Sequence, residues 1–305
     1  MIVVVGNPEN RRVEYFVQAC KALGAAPPRV IAWLDVLAHP EPSALVDAPL
    51  IRIESPGENP LVESLLVQRG ARLRGSEPPG WTTDPARDHG RIRDQSLWFD
   101  GFADVLAQLG ACNGTFMIPP AEITTMFDKV ASRGRYANEV RTPRLLGTIT
   151  DYERLLEYGE SNARMFVKPR YGSSASGVLA FRARPARTMT TSVELDGNAL
   201  YNSLKIRQYV DESAQRHIVD VLAADGLFAE SWIPKACLGG AFDFRVVVIG
   251  GEPCHTVMRV SSSPLTNLHL GNRRGDLVEF ANRHPVAFQR VRDAARSCAR
   301  AFDAM

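Results

Sequence analysis

The stretch Phe166-Val167-Lys168-Pro169-Arg170-Tyr171-Gly172-Ser173-Ser174-Ala175-Ser176-Gly177-Val178 constrains the chain more than any other. An apolar β-type run ends on a cation, a loop of small residues follows, and a second β-type run, Val178-Leu179-Ala180-Phe181, returns. The spacing predicts a β-hairpin whose loop lets backbone N–H groups close over phosphate oxygens, because no bulky Cβ intervenes. Lysine is scarce: only Lys21, Lys129, Lys168, Lys205 and Lys235 occur, and arginine supplies the rest of the 36 basic residues. Two of these few, Lys129 and Lys168, stand where a point charge could meet a phosphate.

With 305 residues and an apolar fraction of 45%, the chain can bury two or three packed subdomains. Its formal charge is only +2 and its arginines are scattered, which argues against a nucleic-acid stripe and against a polybasic membrane patch. The start, Met1-Ile2-Val3-Val4-Val5-Gly6, lacks a basic n-region, and its apolar run is far shorter than a signal-peptide core or a membrane span. A cytoplasmic chain is the expectation. Five cysteines (Cys20, Cys112, Cys237, Cys254, Cys298) with no C-x-x-C pair argue against a disulfide framework and a zinc knuckle, so they are expected to be reduced and mostly packing residues. No signal for an oligomeric state is present.

Residues 2 to 5 suit a buried parallel strand, Gly6-Asn7-Pro8 a turn, and Arg12 to Leu23 an amphipathic helix. Val30 to Trp33 and Pro49 to Glu54 are expected as the second and third strands of a doubly wound α/β domain, and no G-x-G-x-x-G follows the first strand. Gly75 to Gly90 is rich in Pro, Gly and charge and predicts a long loop. Leu97 to Leu109 and Ala121 to Tyr136 read as helices, and a short one is expected over Asp151 to Tyr158. Residues 205 to 210 and Ile218-Val219-Asp220-Val221-Leu222 read as strands, with Asp225-Gly226 as a turn. Asp243 to Ile249 and Cys254 to Val260, joined through Gly250-Gly251, predict an antiparallel pair carrying Arg245 and Arg259 among apolar neighbours. A charge inside such a strand needs a partner or a ligand. Pro285 to Phe302 has helical spacing and an arginine-rich face.

The order of these features resembles the ATP-grasp superfamily of carboxylate-amine ligases, especially the branch that modifies protein or peptide side chains. The likeness runs from about Phe127 to Gly275. Asp128-Lys129 is similar to the segment with the family's first nucleotide lysine, and Val167-Lys168-Pro169 to the second. Gly172 to Val178, with Ser173, Ser174, Ser176 and Gly177, resembles the flexible loop over the phosphates. Glu230-Ser231-Trp232-Ile233 resembles the hinge that contacts adenine, and Asp243-x-Arg245-Val246 and Arg259 resemble the arginine-bearing strands. Asn267-Leu268-His269-x-Gly271 is similar to the N-x-x-x-G segment. The loop joins two strands and lacks the G-K-[ST] ending before a helix, which sets it apart from a Walker-type P-loop.

The resemblance implies an α/β fold, α+β in its C-terminal part, with a pre-ATP-grasp domain over 1–118, a central lid over 119–229 and a C-terminal core over 230–305. It implies ATP and Mg2+ as cofactors and an amide-type bond formed between a carboxylate and an amine through an acylphosphate, with a peptide or protein as one substrate class. Arg245, Arg259 and Asn267 would be the catalytic residues. Lys129, Lys168, Gly172, Ser173, Ser174, Ser176, Gly177, Glu230, Trp232 and Ile233 would bind the nucleotide. Family members place an acidic residue and a Glu-x-Asn pair, their magnesium ligands, after these motifs. Neither occurs before Met305. The sequence is expected either to stop short of a longer protein, with the C-terminal end of the core missing, which the abrupt helix-like ending favours, or to be a nucleotide-binding relative that has lost catalysis. The metal ligands stay unassigned.

Taken singly, each residue also suits a plainer role. Gly172 to Gly177 fits a surface turn, Lys168 a snorkelling strand end, Lys129 a solvated helix position, Glu230 a surface acid and Trp232 a core residue. Arg245 and Arg259 equally suit structural ion pairs with Asp243 or Glu252. A non-catalytic nucleotide-binding protein and a small-molecule kinase of the same fold are the rival functions, since fold alone does not fix chemistry.

Overall fold

The computed structural model describes residues 2–39, 48–80 and 90–303. Two compact units emerge, one from residues 1–87, 96–127 and 302–305, the other from 88–95 and 128–301.

The first unit is a parallel sheet of order β2-β1-β3, with β1 at Ile2–Val5, β2 at Arg29–Ile31 and β3 at Leu50–Ile53. The apolar run of β1 is central, with Val3 in register with both Arg29 and Ile51. Helices α1 (Arg11–Ala22), α2 (Trp33–Ala38), α3 (Pro60–Leu73), α4 (Gln95–Gly110) and α5 (Pro120–Phe127) accompany it. Trp33, Leu66, Phe102, Leu106 and Leu109 fill the core with Val3, Val5 and Ile51. Trp33, expected to end a strand, instead opens α2, and its indole N–H donates to the carbonyl of Glu54 at 3.1 Å. Within Gly75 to Gly90, residues 76–80 carry no helix or strand, and 81–89 lie outside the described residues.

The second unit holds two antiparallel sheets. The larger has the order β4-β9-β5-β6-β7-β8. Its strands are β4 (Leu145–Ile149), β5 (Arg164–Pro169), β6 (Leu179–Arg182), β7 (Thr188–Asp196), β8 (Ala199–Tyr209) and β9 (Leu227–Ser231). The expected hairpin is β5–β6, with Phe166 opposite Ala180. One face of this sheet packs on α7 (Tyr152–Ser161) and α8 (Glu212–Ala223), where Met165, Val167, Phe181 and Ala229 meet Tyr152, Leu155, Ile218 and Leu222.

Three expectations need correction here. Ile218 to Leu222 is helical, within α8. Its β-branched run hides a helical stripe, with Gln215, Ile218, Val219 and Leu222 buried, and Asp211 caps the start by accepting from Ala214 N. The Asp225-Gly226 turn therefore joins a helix to a strand. The helix expected over Ala121 to Tyr136 is two, α5 and α6 (Lys129–Tyr136), because Asp128 leaves the helical conformation at φ −85°, ψ 104° and caps α6.

The smaller sheet has order β10-β11-β12, with β10 at Ala241–Ile249, β11 at Glu252–Ser261 and β12 at Arg273–Arg274. Helices α9 (Leu277–Arg283) and α10 (Pro285–Arg300) follow. Phe242, Phe244, Met258 and Val260 form its apolar face against Leu277, Phe280 and Phe288. All five cysteines are free, and Cys237 and Cys254 are exposed rather than packed. Among the described residues no helix is long and apolar enough to cross a membrane.

Candidate functional site

Strand alternation builds the first half of the site. Met165, Val167 and Pro169 of β5 are buried, so Phe166 and Lys168 share the face turned away from α7 and α8. Glu230 on β9 is in register with Phe166 and, though nearly buried at 7% exposure, is ion-paired with Lys168. Trp232, just past β9, lies flat on Phe166, with ring centroids 4.6 Å apart and planes 17° from parallel. These two rings, with Ile233, Lys235, Ala241 and the Ser261–Pro264 turn, line a pocket of about 370 Å3, within the range of small-ligand sites. Trp232 is thus a pocket wall and not core.

Lys129 enters from the first turn of α6. Its ammonium donates to the carbonyls of Gly172 at 2.8 Å, Tyr171 at 2.9 Å and Arg170 at 3.4 Å, the stem of the small-residue loop. Asp128 fixes that arrangement. Its carboxylate accepts from Val130 N and Ala131 N as the cap of α6 and from the Arg170 guanidinium at 2.6 to 2.9 Å. Burial pushes the Asp128 carboxyl up, but the Arg170 hydrogen bonds and the two amides outweigh it and hold it below the usual carboxylate range. Lys129 moves the other way. Burial, reinforced by the Lys168 ammonium, brings it down to about 8 against the pull of Asp128.

The loop itself turns through Ser176 N to Ser173 O and Val178 N to Ala175 O. Ser174 and Ala175 both have positive φ, at 57° and 62°, a conformation that costs non-glycine residues energy. Gly177 closes the loop at φ 70°, where a Cβ would come within 2.7 Å of Pro169 Cγ.

The smaller sheet contributes a second cluster. Asp243 on β10 stands directly opposite Arg259 on β11 and accepts from Arg259 at 2.7 Å, Lys235 at 3.1 Å and the Thr266 hydroxyl at 2.5 Å. Burial would raise the Asp243 carboxyl; Arg259, Thr266 and Lys235 together lower it instead. Burial lowers Lys235, with Arg259 and Lys168 adding to the effect. The Lys168 charge thus adds to the lowering of both Lys129 and Lys235.

Of the two readings of the arginines, Arg259 takes the ion pair with Asp243, while Glu252 pairs with Arg296. Arg245 is exposed. Asn267 opens the 3-10 turn Leu268–Leu270 without a side-chain cap bond, immediately after Thr266 of the Asp243 network.

No family model matches the sequence, and no curated protein sequence matches it. Solved structures do. The ATP-grasp ligase PsnB, complexed with a phosphomimetic variant of a minimal precursor, Mg and ADP, superposes with a TM-score of 0.52 at 14% identity, over 98% of this chain and 81% of that one. The same ligase with minimal precursor gives 0.50 at 14%, again over 98% and 81%. D-cycloserine synthetase DcsG gives 0.52 at 12%, over 98% and 80%.

The chain has the ATP-grasp fold.

Phe166, Lys235 and Thr266, none of them assigned a site role from sequence, contact residues that were singled out: Phe166 stacks on Trp232, and Lys235 and Thr266 donate to Asp243. Phe166 was legible as the residue two before Lys168 in a strand, hence on its face. Lys235 was legible only through the scarcity of lysine. Among the described residues no group of three or more His, Cys, Asp or Glu side chains that could hold a metal ion comes together.

Proposed function

We propose that the protein is an ATP-dependent ligase of ATP-grasp type that joins a carboxylate to an amine, with a peptide or protein carrying one of the two groups. The reading is carried by one observation: the Lys168–Glu230 pair and the Phe166–Trp232 stack share a sheet face beside a ligand-sized pocket. The PsnB structures, solved with ADP and with precursor, support the same assignment.

A purine is flat and apolar with a polar edge. Trp232 and Phe166 would supply its wall, and the Ile233 backbone and Glu230 its polar partners. Lys168 and Lys129 would balance phosphate charge, with the Gly172–Gly177 loop N–H groups completing the cradle. Both ammoniums already have partners, so binding exchanges the Glu230 carboxylate and the loop carbonyls for phosphate oxygens. ATP would supply the phosphoryl group that turns the substrate carboxylate into an acylphosphate, with ADP leaving, and the amine would then attack the acyl carbon and expel inorganic phosphate to leave the amide. Arg245 and Arg259 would face the charge that builds on the acyl oxygens, and Asn267 would orient the transferred phosphate.

The test is nucleotide turnover with Mg2+ and pooled carboxylates and amines. ADP and phosphate should appear only when both pools are present, and Lys168→Ala should weaken ATP binding. ATP binding with no ADP formed from any acceptor would refute the ligase reading, and unchanged affinity in Lys168→Ala would remove that lysine from the site.

A further inference from the structure

The smaller sheet has one covered face and one charged face. Phe242, Phe244, Met258 and Val260 turn to α9 and α10. Alternation sends Asp243, Arg245 and Arg259 to the other side. The ladder then adds a residue that no motif drew attention to: Arg274 on β12 stands directly opposite Arg259, as Arg259 stands opposite Asp243. Directly paired residues on neighbouring strands project to the same face.

Charge on this row does not balance. Asp243 is shared between Arg259 and Lys235. Arg274 and Arg245 are exposed, and among the described residues neither has an ion-pair partner. Like charges directly opposite in a ladder repel and destabilise it. Arg274 set opposite Arg259 therefore costs the sheet something, and an anion lying between or over them relieves that cost. Arg273, the neighbour of Arg274, points elsewhere and donates to the Gly239 carbonyl at 3.0 Å, so the feature is specific to Arg274.

We propose that Arg274 is a specificity-determining residue that holds a second carboxylate of the substrate, which makes the acceptor of the reaction an acidic peptide segment and not a lone carboxylic acid. The inference rests on reading the neighbouring cluster as the reaction centre. The spacing agrees with it. Two strand separations and two residues along a strand put the Cα atoms of Arg245 and Arg274 about 12 Å apart, a span that several acidic side chains on an extended peptide cover and one small acid does not. Arginine suits the task, because its fixed fork meets a carboxylate with two parallel hydrogen bonds.

The probes are a fluorescein-labelled hexaglutamate peptide, read by anisotropy, and ADP, read separately by calorimetry, on the full chain. Wild type should bind hexaglutamate more tightly than N-acetylglutamate. Arg274→Glu and Arg274→Gln should weaken the peptide by about tenfold or more, the size of one lost charge-assisted contact, and Arg274→Lys by less. Arg290→Glu on α10, the same charge change on the helix side, should leave peptide affinity near wild type. ADP affinity should be the same in all four variants, which also reports that they fold. Equal losses in Arg290→Glu and Arg274→Glu, or no loss in either Arg274→Glu or Arg274→Gln, would overturn the proposal. Arg274-dependent peptide binding in a protein that fails to bind ADP would instead sink the nucleotide reading and leave the docking row standing.

Discussion

The affinity of this protein for ADP should fall as pH rises from 7 to 9, and Lys129 sets the size of the fall. Its ammonium sits at about 8, lowered first by burial and then by Lys168. Only the charged form attracts phosphate, and the neighbouring anion raises its affinity for the proton in the complex. About nine in ten ammoniums are protonated one unit below such a pKa and about one in ten a unit above it, so binding should weaken by about tenfold across the window. The sign is fixed by the direction of the shift: a lysine lowered from 10.5 to about 8 loses its charge within the working range, whereas an ordinary lysine keeps it to beyond pH 9. Calorimetry at several pH values, in two buffers of different ionisation enthalpy, reads both the affinity and the accompanying proton uptake near pH 8. Lys129→Arg supplies the control, since a guanidinium stays charged throughout. A flat wild-type profile, or the same slope in Lys129→Arg, would refute the assignment of this group to the phosphates.

Two further outcomes test the scaffold beneath the site. Asp128→Ala removes both the cap of α6 and the partner of Arg170 and should destabilise the second unit by about 2–4 kcal/mol, while Asp128→Asn keeps the cap and should cost only about 1–2 kcal/mol, tempered because Arg170 is half-exposed. Urea denaturation, with hydrogen exchange at Val130 and Ala131, separates the two, and equal costs would show that the cap contributes nothing. Gly177→Ala should cost about 1–2 kcal/mol for the left-handed backbone and should displace the loop from Pro169, read as faster proteolysis within residues 172–178; an unchanged cleavage rate would contradict the close approach.

Much of the site was legible because it is written in strands. The period of two in β5 sorts Phe166 and Lys168 from Met165 and Val167 without any knowledge of the rest, and the β10–β11 hairpin announces itself through valines around a glycine turn. Composition misled at α8, where Ile218 to Leu222 carries β-branched side chains but obeys a helical burial rhythm reaching back to Gln215. It misled again at Asp128, where a single helix expected over Ala121 to Tyr136 concealed a break visible only once the carboxylate is seen capping Val130 and Ala131. Partners distant in sequence were out of reach. Nothing local says that Lys235 meets Asp243 and Thr266, or that β12 lays Arg274 beside Arg259. Those pairings depend on register between strands, which the ladder sets and the individual segments do not.

The two-residue rhythm of β5 has a consequence for how such a protein can diverge. Substitution can tune Phe166 or Lys168 one at a time, but inserting or deleting a single amino acid there would rotate the whole segment by half a turn, driving an ammonium and a ring into the greasy side while Met165 and Val167 faced outward. Descendants of this sequence can therefore change the strand one side chain at a time, whereas a change in its length by one residue needs a compensating bulge.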